Sequence, residues 1–292
     1  MLVNDIENNR KVVKRLEPHQ AYETLGVYLA PDGNLNEQFQ KMKKAATAWV
    51  NGLRTGNITK TEVWIALNST IMQTLIYPLP ALRLTRAQCE AILAPILRYC
   101  LPALGICRNF TRKLVFLKLD YMGLDIKHLF ILQEIARIKD IVFHTFNDTL
   151  TGRLYRASME HFFLEIGINP TNLTINQYSN IEHLATPSLA KLAMIFLLQY
   201  KVILKHPIAF KLQRVRDQMI MEALIAMDIL LDELMACNLC RLYMQVCYLS
   251  DIVTGDGSEL LEEAWQGKPI PYLNRTSAWP TYQRPPMAYW NI

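Results

Sequence analysis

The chain contains no apolar run near the roughly 20 residues that cross a bilayer as a helix, so a membrane is not an expected partner. Its most apolar short run, Ala193 to Leu198, lies between Lys191 and Lys201 and reads as a core helix. The first ten residues, MLVNDIENNR, are polar and carry Asp5 and Glu7, which is not the pattern of an export signal. The expectation is an intracellular chain, nuclear or cytoplasmic, whose six cysteines stay reduced. Nucleotide-binding and hydrolase signatures are also missing. There is no phosphate-binding Gly-rich loop, no Gly-x-Ser-x-Gly and no Gly-x-Gly-x-x-Gly. His19, His128, His144, His161, His183 and His206 are scattered, without a zinc-protease spacing. Adjacent acidic residues occur only as Asp232-Glu233 and Glu262-Glu263, both in polar helical positions. A pair of catalytic metal ions about 3.5–4 Å apart needs converging carboxylates, and this sequence does not assemble them. No catalytic residue, metal ligand or cofactor is assigned.

Two weaker constellations have plain structural readings. Cys237 and Cys240 form a Cys-x-x-Cys with Cys247 nearby, but zinc needs a further ligand pair and the three sit in an apolar helical pattern, which favours core packing. Asp251 and Asp256 flank Thr254-Gly255, an arrangement that suits a cap and turn better than a cation site.

What is present is helix. A content of 51% hydrophobic and 20% charged residues fits a globular chain and argues against disorder. The chain is organised around Glu62 to Arg112. Trp64, Leu67, Ile71 and Leu75 recur at helical spacing, and Thr59 and Glu62 have the spacing of a capping box. Pro78 and Pro80 stop that helix. A second begins at Thr85, with Gln88 three residues later and Cys89, Ile92, Leu93, Ile96 and Leu97 on one side. Pro95 predicts a kink within it, and a basic edge at Arg108, Arg112 and Lys113 follows Pro102.

Upstream, residues 11–31 predict two strands, the second being Leu25 to Leu29, with a turn at Pro31 to Asn34. A helix follows over about 35–53, with Leu35, Phe39, Met42, Ala46, Trp49 and Leu53 on one face and Lys41, Lys43 and Lys44 mostly off it. Downstream, Gly123 to Ile126 predicts a turn and short strand. A helix over about 127–146 carries an apolar stripe of Leu129, Leu132, Ile135, Ile138 and Val142, with Arg137 and Lys139 facing water. Another covers about 151–166. Residues 167–185, rich in Asn and Thr, predict a linker. A second helical lobe over 186–264 starts with Thr186 as N-cap and Pro187 at the first helical position. It continues with a Met-rich helix over 210–235 and another over 238–253. Residues 265–292, with five prolines among Trp and Tyr, predict an extended tail.

Charge is uneven. Residues 1–150 hold 19 Lys and Arg against 13 Asp and Glu, and residues 151–263 hold 9 against 13. A basic front half fits a phosphate-bearing partner and also an ordinary solvated helix face. The best phosphate contacts are Lys41, Lys43 and Lys44 on one helix, and Arg108, Arg112, Lys113 and Lys118 beyond the other. Lys268, Arg275 and Arg284 among the tail aromatics suit either stacking on unpaired bases or docking on the core.

The order of features from Leu16 to Arg137 resembles the region just after the catalytic palm in reverse transcriptases of non-LTR (LINE-like) retrotransposons. The matching residues are Thr24-Leu25-Gly26-Val27, the turn at Asp32-Gly33, and Lys44-Ala45 with Trp49. They continue with Leu75-Ile76-Tyr77-Pro78, Gly123-Leu124-x-Ile126-x-x-Leu129, Gln133 and Ala136. The resemblance implies that Leu25, Gly26 and Val27 belong to a primer-grip hairpin over residues 1–33, with a thumb-like lobe over 34–166. It implies an RNA/DNA duplex as partner. The family's Tyr-x-Asp-Asp is absent here, so the chain is expected to be no polymerase by itself and to work with a palm supplied by another polypeptide. The expected fold is mainly α, an N-terminal β-hairpin and then two helical lobes with an extended tail. The alternatives are a helical scaffold whose Met-rich second lobe binds protein, and an enzyme of another class.

Overall fold

The computed structural model describes residues 2–4, 10–12, 17–168, 178–179, 181–202, 214, 217–227, 229–268 and 282–286. They are mainly helical, with short antiparallel hairpins at the N-terminal end. No helix among the described residues is long and apolar enough to cross a membrane.

Strands β1 (Leu2–Asn4) and β2 (Arg10–Val12) pair with each other, with Leu2 opposite Val12. Strands β3 (Tyr22–Thr24) and β4 (Val27–Leu29) form a second pair, with Thr24 opposite Val27. The single hairpin expected over 11–31 is thus two local ones. Leu25 and Gly26, expected within a strand, are instead the two turn residues, at φ of +50° and +82°. Positive φ at both central positions is the tight-hairpin geometry that matches strand twist. Gly26 adopts it without strain, and Leu25 does so against steric preference.

Two compact units divide the chain, Met1–Arg137 and Ile138–Ile292. The boundary lies inside a helix and not in the Asn/Thr-rich segment expected to join two lobes. Of that segment, 169–177 and 180 lie outside the described residues, while Ile168, Tyr178, Ile181 and Ala185 are buried with Phe162 and Phe163 in the second unit's core.

In the first unit, α1 (Asn36–Arg54) buries Met42, Ala46 and Val50, with Phe39 and Trp49 partly covered. Gln38 is also buried, because its side-chain oxygen accepts the Tyr28 amide at 2.8 Å. Helix α2 (Lys60–Ala66) starts at the expected Thr59–Glu62 capping box. It runs through a π-helical stretch, Leu67–Ile71, into α3 (Met72–Ile76). There Asn68, Ser69, Thr70 and Thr74 all donate side-chain bonds to carbonyls four residues back, which competes with the regular helical ladder. Helix α4 (Arg86–Ala103) has the Thr85–Gln88 capping box and runs on through Pro95 and Pro102. Leu67, Leu75, Ile92, Ile96 and Leu101 form the centre of this core.

Helix α5 (Arg112–Phe116) is short, and Gly123 to Ile126 follows as a loop, not a strand. A Cβ on Gly123 would lie 2.0 Å from the Leu117 carbonyl oxygen, so only glycine fits. Helix α6 (Leu129–Thr145) crosses the boundary between the units. Its expected apolar stripe holds at Leu129 but not at Ile135, which is 39% exposed. Gln133, Glu134 and Arg137 are buried instead. Arg137, expected in water, pairs with Glu134. Gln133 grips Leu84 at both its amide and its carbonyl, at 2.9 and 3.0 Å.

The second unit contains α7 (Leu150–Ile166), α8 (Leu189–Gln199), α9 (Ile220–Ala226), α10 (Leu231–Met244) and α11 (Glu262–Trp265). Thr186 is not the N-cap of α8. It gives its amide and hydroxyl to Glu165, and Ser188 caps the helix through the Lys191 amide. The helix expected over 210–235 is interrupted between α9 and α10, and part of that range lies outside the described residues. So does most of the tail, although Tyr282 packs against Leu164, Leu242 and Tyr248. Arg241 is 1% exposed. It donates to the carbonyls of Leu164, Glu165 and Val246 and to the Asn238 side chain, so it is fully satisfied at the centre of the unit.

Candidate nucleic-acid interface

One face of α4 carries Arg86, Glu90, Leu93, Ala94, Leu97 and Arg98, spaced by threes and fours so that they align along the helix. The opposite face, with Cys89, Ile92, Ile96 and Cys100, is buried and fixes which way this one looks. The helix ends at Gly105, whose amide bonds Pro102 O while the Ile106 amide bonds Leu101 O. That is the pattern of a Schellman stop, with glycine in the left-handed conformation at φ +82°. The chain then reverses through Arg108 and Asn109 into α5. Helix α5 is held by Val115, fully buried, and by Leu124 and Ile126, whose amides bond Leu114 O and Val115 O.

The result is a cleft of about 490 Å³ between α4, α5 and the loop, with His128 completing its wall. Five cations line it, Arg86, Arg98, Arg108, Arg112 and Lys113, against one carboxylate, Glu90. Glu90 is held by Arg86 Nε at 2.9 Å and stands 4.0 Å from His128 Nε2. Arg98, Arg108, Arg112 and Lys113 are exposed and make no side-chain hydrogen bond or ion pair among the described residues. The charge balance therefore leaves four cations uncompensated on one concave surface, where low-dielectric walls strengthen the field. His128 has a side chain 10% exposed. Its burial, and then the Arg86 charge, push its pKa below the usual imidazole value. It packs edge-on against Phe116, with ring centroids 4.5 Å apart.

Arg108, Arg112 and Lys113 are thus brought together as expected by sequence. Lys118 is exposed and does not line this cleft. Arg86, Glu90, Arg98, Phe116 and His128 join them without having been expected there. The first three carry a signal that could have found them, because Arg86, Glu90, Ala94 and Arg98 repeat every four residues opposite the apolar stripe. Phe116 follows Arg112 by four residues on α5, but His128 has no such signal, since only the folding of the 117–127 loop brings it there.

The lysine cluster on α1 divides. Lys41 Nζ is used by the hairpin: it pairs with Glu23, donates to Gly26 O at 2.8 Å and stands over the Tyr28 ring. Lys43 and Lys44 are exposed. Lys44 lines a shallow depression of about 470 Å³ with Tyr28, Asn36, Glu37, Gln40 and Lys41, separate from the cleft on α4. At the hairpin itself, Val27 is buried, Leu25 is 84% exposed, and Tyr77 Oη donates to Leu25 O at 2.9 Å. The tip thus offers an apolar side chain on a backbone tied to the helices below it.

Among the described residues, no group of three or more His, Cys, Asp or Glu side chains is placed to hold a metal ion. The six cysteines are free thiols. Burial raises Cys89 and Cys100 to about 12, which makes them packing residues, not nucleophiles. Asp251 accepts the amides of Cys247 and Tyr248 and pairs with Arg214, and Asp256 accepts from the hydroxyls of Thr254 and Ser258 and the Ser258 amide, so both are held by protein groups. Compared with known proteins, the chain matches no family model, no curated protein and no solved structure.

Proposed function

We propose that this chain is a nucleic-acid-binding module that carries no polymerase chemistry of its own. Its template–primer is held through the cations of the first unit's cleft, as in the thumb region of a non-LTR reverse transcriptase. The observation that carries the reading is the cleft's charge: five cations against one carboxylate, with Arg98, Arg108, Arg112 and Lys113 unpaired among the described residues. Phosphates are the common ligand that such a surface neutralises. The anchored hairpin tip at Leu25-Gly26 supports the retroelement comparison, because a grip needs a projecting turn fixed from behind. On this reading the catalytic palm lies outside these residues.

The test is anisotropy of a labelled RNA–DNA primer–template at low and moderate salt. Binding is expected to weaken steeply with salt. Arg108→Glu with Arg112→Glu should weaken it at least tenfold. The pair should also flatten the salt dependence by about one power of salt for each phosphate no longer neutralised. No binding at low salt, or binding that these substitutions leave intact, overturns the reading.

A second reading has its own observation. Leu231, Met235 and Leu239 form an exposed i, i+4, i+8 stripe on α10, at 50, 39 and 42% exposure. An apolar helix face of that kind suits a protein partner, and co-purifying protein without nucleic-acid affinity would favour it.

A further inference from the structure

We infer that the cleft between α4 and α5 takes one unpaired nucleotide, with its phosphate on the cationic rim and its base against the apolar floor. This rests on the nucleic-acid reading above and specifies it: the cleft selects single-stranded ends and overhangs over duplex backbone.

The lining carries the argument. A site for duplex phosphates alone needs cations on an open face and nothing beneath them, because paired bases stay stacked inside the duplex. Here the cations surround a floor made of Leu93, Ala94, Leu97 and Phe116. The volume of about 490 Å³ lies within the range of small-molecule clefts, suited to one nucleotide unit and far too small for a helix. Phe116 offers an aromatic surface partly open to the cleft, and its edge-on contact with His128 fixes its orientation before anything binds. An unpaired base gains most from such a surface, and does so whatever its identity.

A polar group suited to a base edge is also present. Asn109 is exposed at the rim and holds a donor and an acceptor. Charge, volume, aromatic floor and an exposed side-chain amide thus coincide at one place. The depression beside Lys44 separates them: it has cations and Tyr28 but no buried apolar floor among its lining residues.

The experiment compares three labelled probes at one salt concentration: a blunt RNA–DNA duplex, the same duplex with a short single-stranded overhang, and the single strand. The overhang and the single strand should bind about tenfold more tightly than the blunt duplex, the size expected for stacking one base. Phe116→Leu keeps an apolar floor and removes the ring, and should abolish that preference. Ala94→Leu fills the cleft from an exposed position that the core does not use, and should abolish it too, even if Phe116→Leu fails to fold. Arg108→Glu should weaken all three probes alike. Equal binding of blunt and overhang probes, or a preference that survives Ala94→Leu, overturns this inference and leaves the broader reading standing. Failure of the unaltered chain to bind any probe overturns both.

Discussion

His128 shows how one residue reports the cleft's condition. Its side chain is mostly out of water beside Arg86, and both features disfavour the imidazolium. The folded pKa therefore lies below that of the unfolded chain. Just below the unfolded value of about 6.5, the unfolded state binds more protons, so stability rises with pH through this window. Its contribution is complete above that value and is lost as pH falls through the folded pKa. Denaturant unfolding at pH 7 and pH 5 should show a smaller loss for His128→Phe than for the unaltered chain. Equal losses would mean that His128 does not titrate as a buried neutral group. Arg137 is a contrasting residue. Its place on α6 reads as solvent-facing, yet it is buried against Glu134 and reaches toward Leu82 O. That carbonyl lies 55 residues away, and a local pattern holds no trace of it.

At the scale of elements, local chemistry is the legible part. Both capping boxes, Thr59 with Glu62 and Thr85 with Gln88, stand where their spacing puts them, because the groups involved lie within one turn. The N-cap of α8 is not at Thr186, because Glu165, on another helix, claims that residue's hydroxyl and amide. The β3–β4 hairpin is half legible. Gly26 signals a turn, but the positive φ of Leu25 has no sequence signature. Its geometry is imposed by Tyr77 at one carbonyl and Lys41 at the next. Lys41→Met should therefore loosen the turn while hardly moving the melting temperature, since the Lys41–Glu23 pair is solvent-exposed. Amide exchange over residues 23–28 is the measurement. Unchanged protection there would show that strand pairing alone sets the turn. The cleft is half legible for the same reason: its basic loop is contiguous in sequence, while Phe116 and His128 meet only through tertiary folding.

For the whole molecule, the division at Arg137 and Ile138 is hidden because it runs through a continuous helix, with no glycine- or proline-rich segment to mark it. The first unit has its own buried cluster, from Val27 to Leu129, and every residue of the cleft lies within that unit. A fragment of residues 1–145, which keeps α6 entire, should melt cooperatively and bind the primer–template within about threefold of the full chain. A non-cooperative melt would show that the first core depends on the second unit. The π-helical stretch at Leu67–Ile71 bears on the same unit in another way. It amounts to one residue more than a regular ladder accommodates, and so it sets the phase of all that follows. A chain shortened by one residue there would regain an even helix and turn its downstream half by about 100°. Leu75 would swing out of the core and Tyr77 away from the hairpin. The irregular turn works as a vernier: the single extra residue aligns two sets of contacts that a perfect helix would leave out of step.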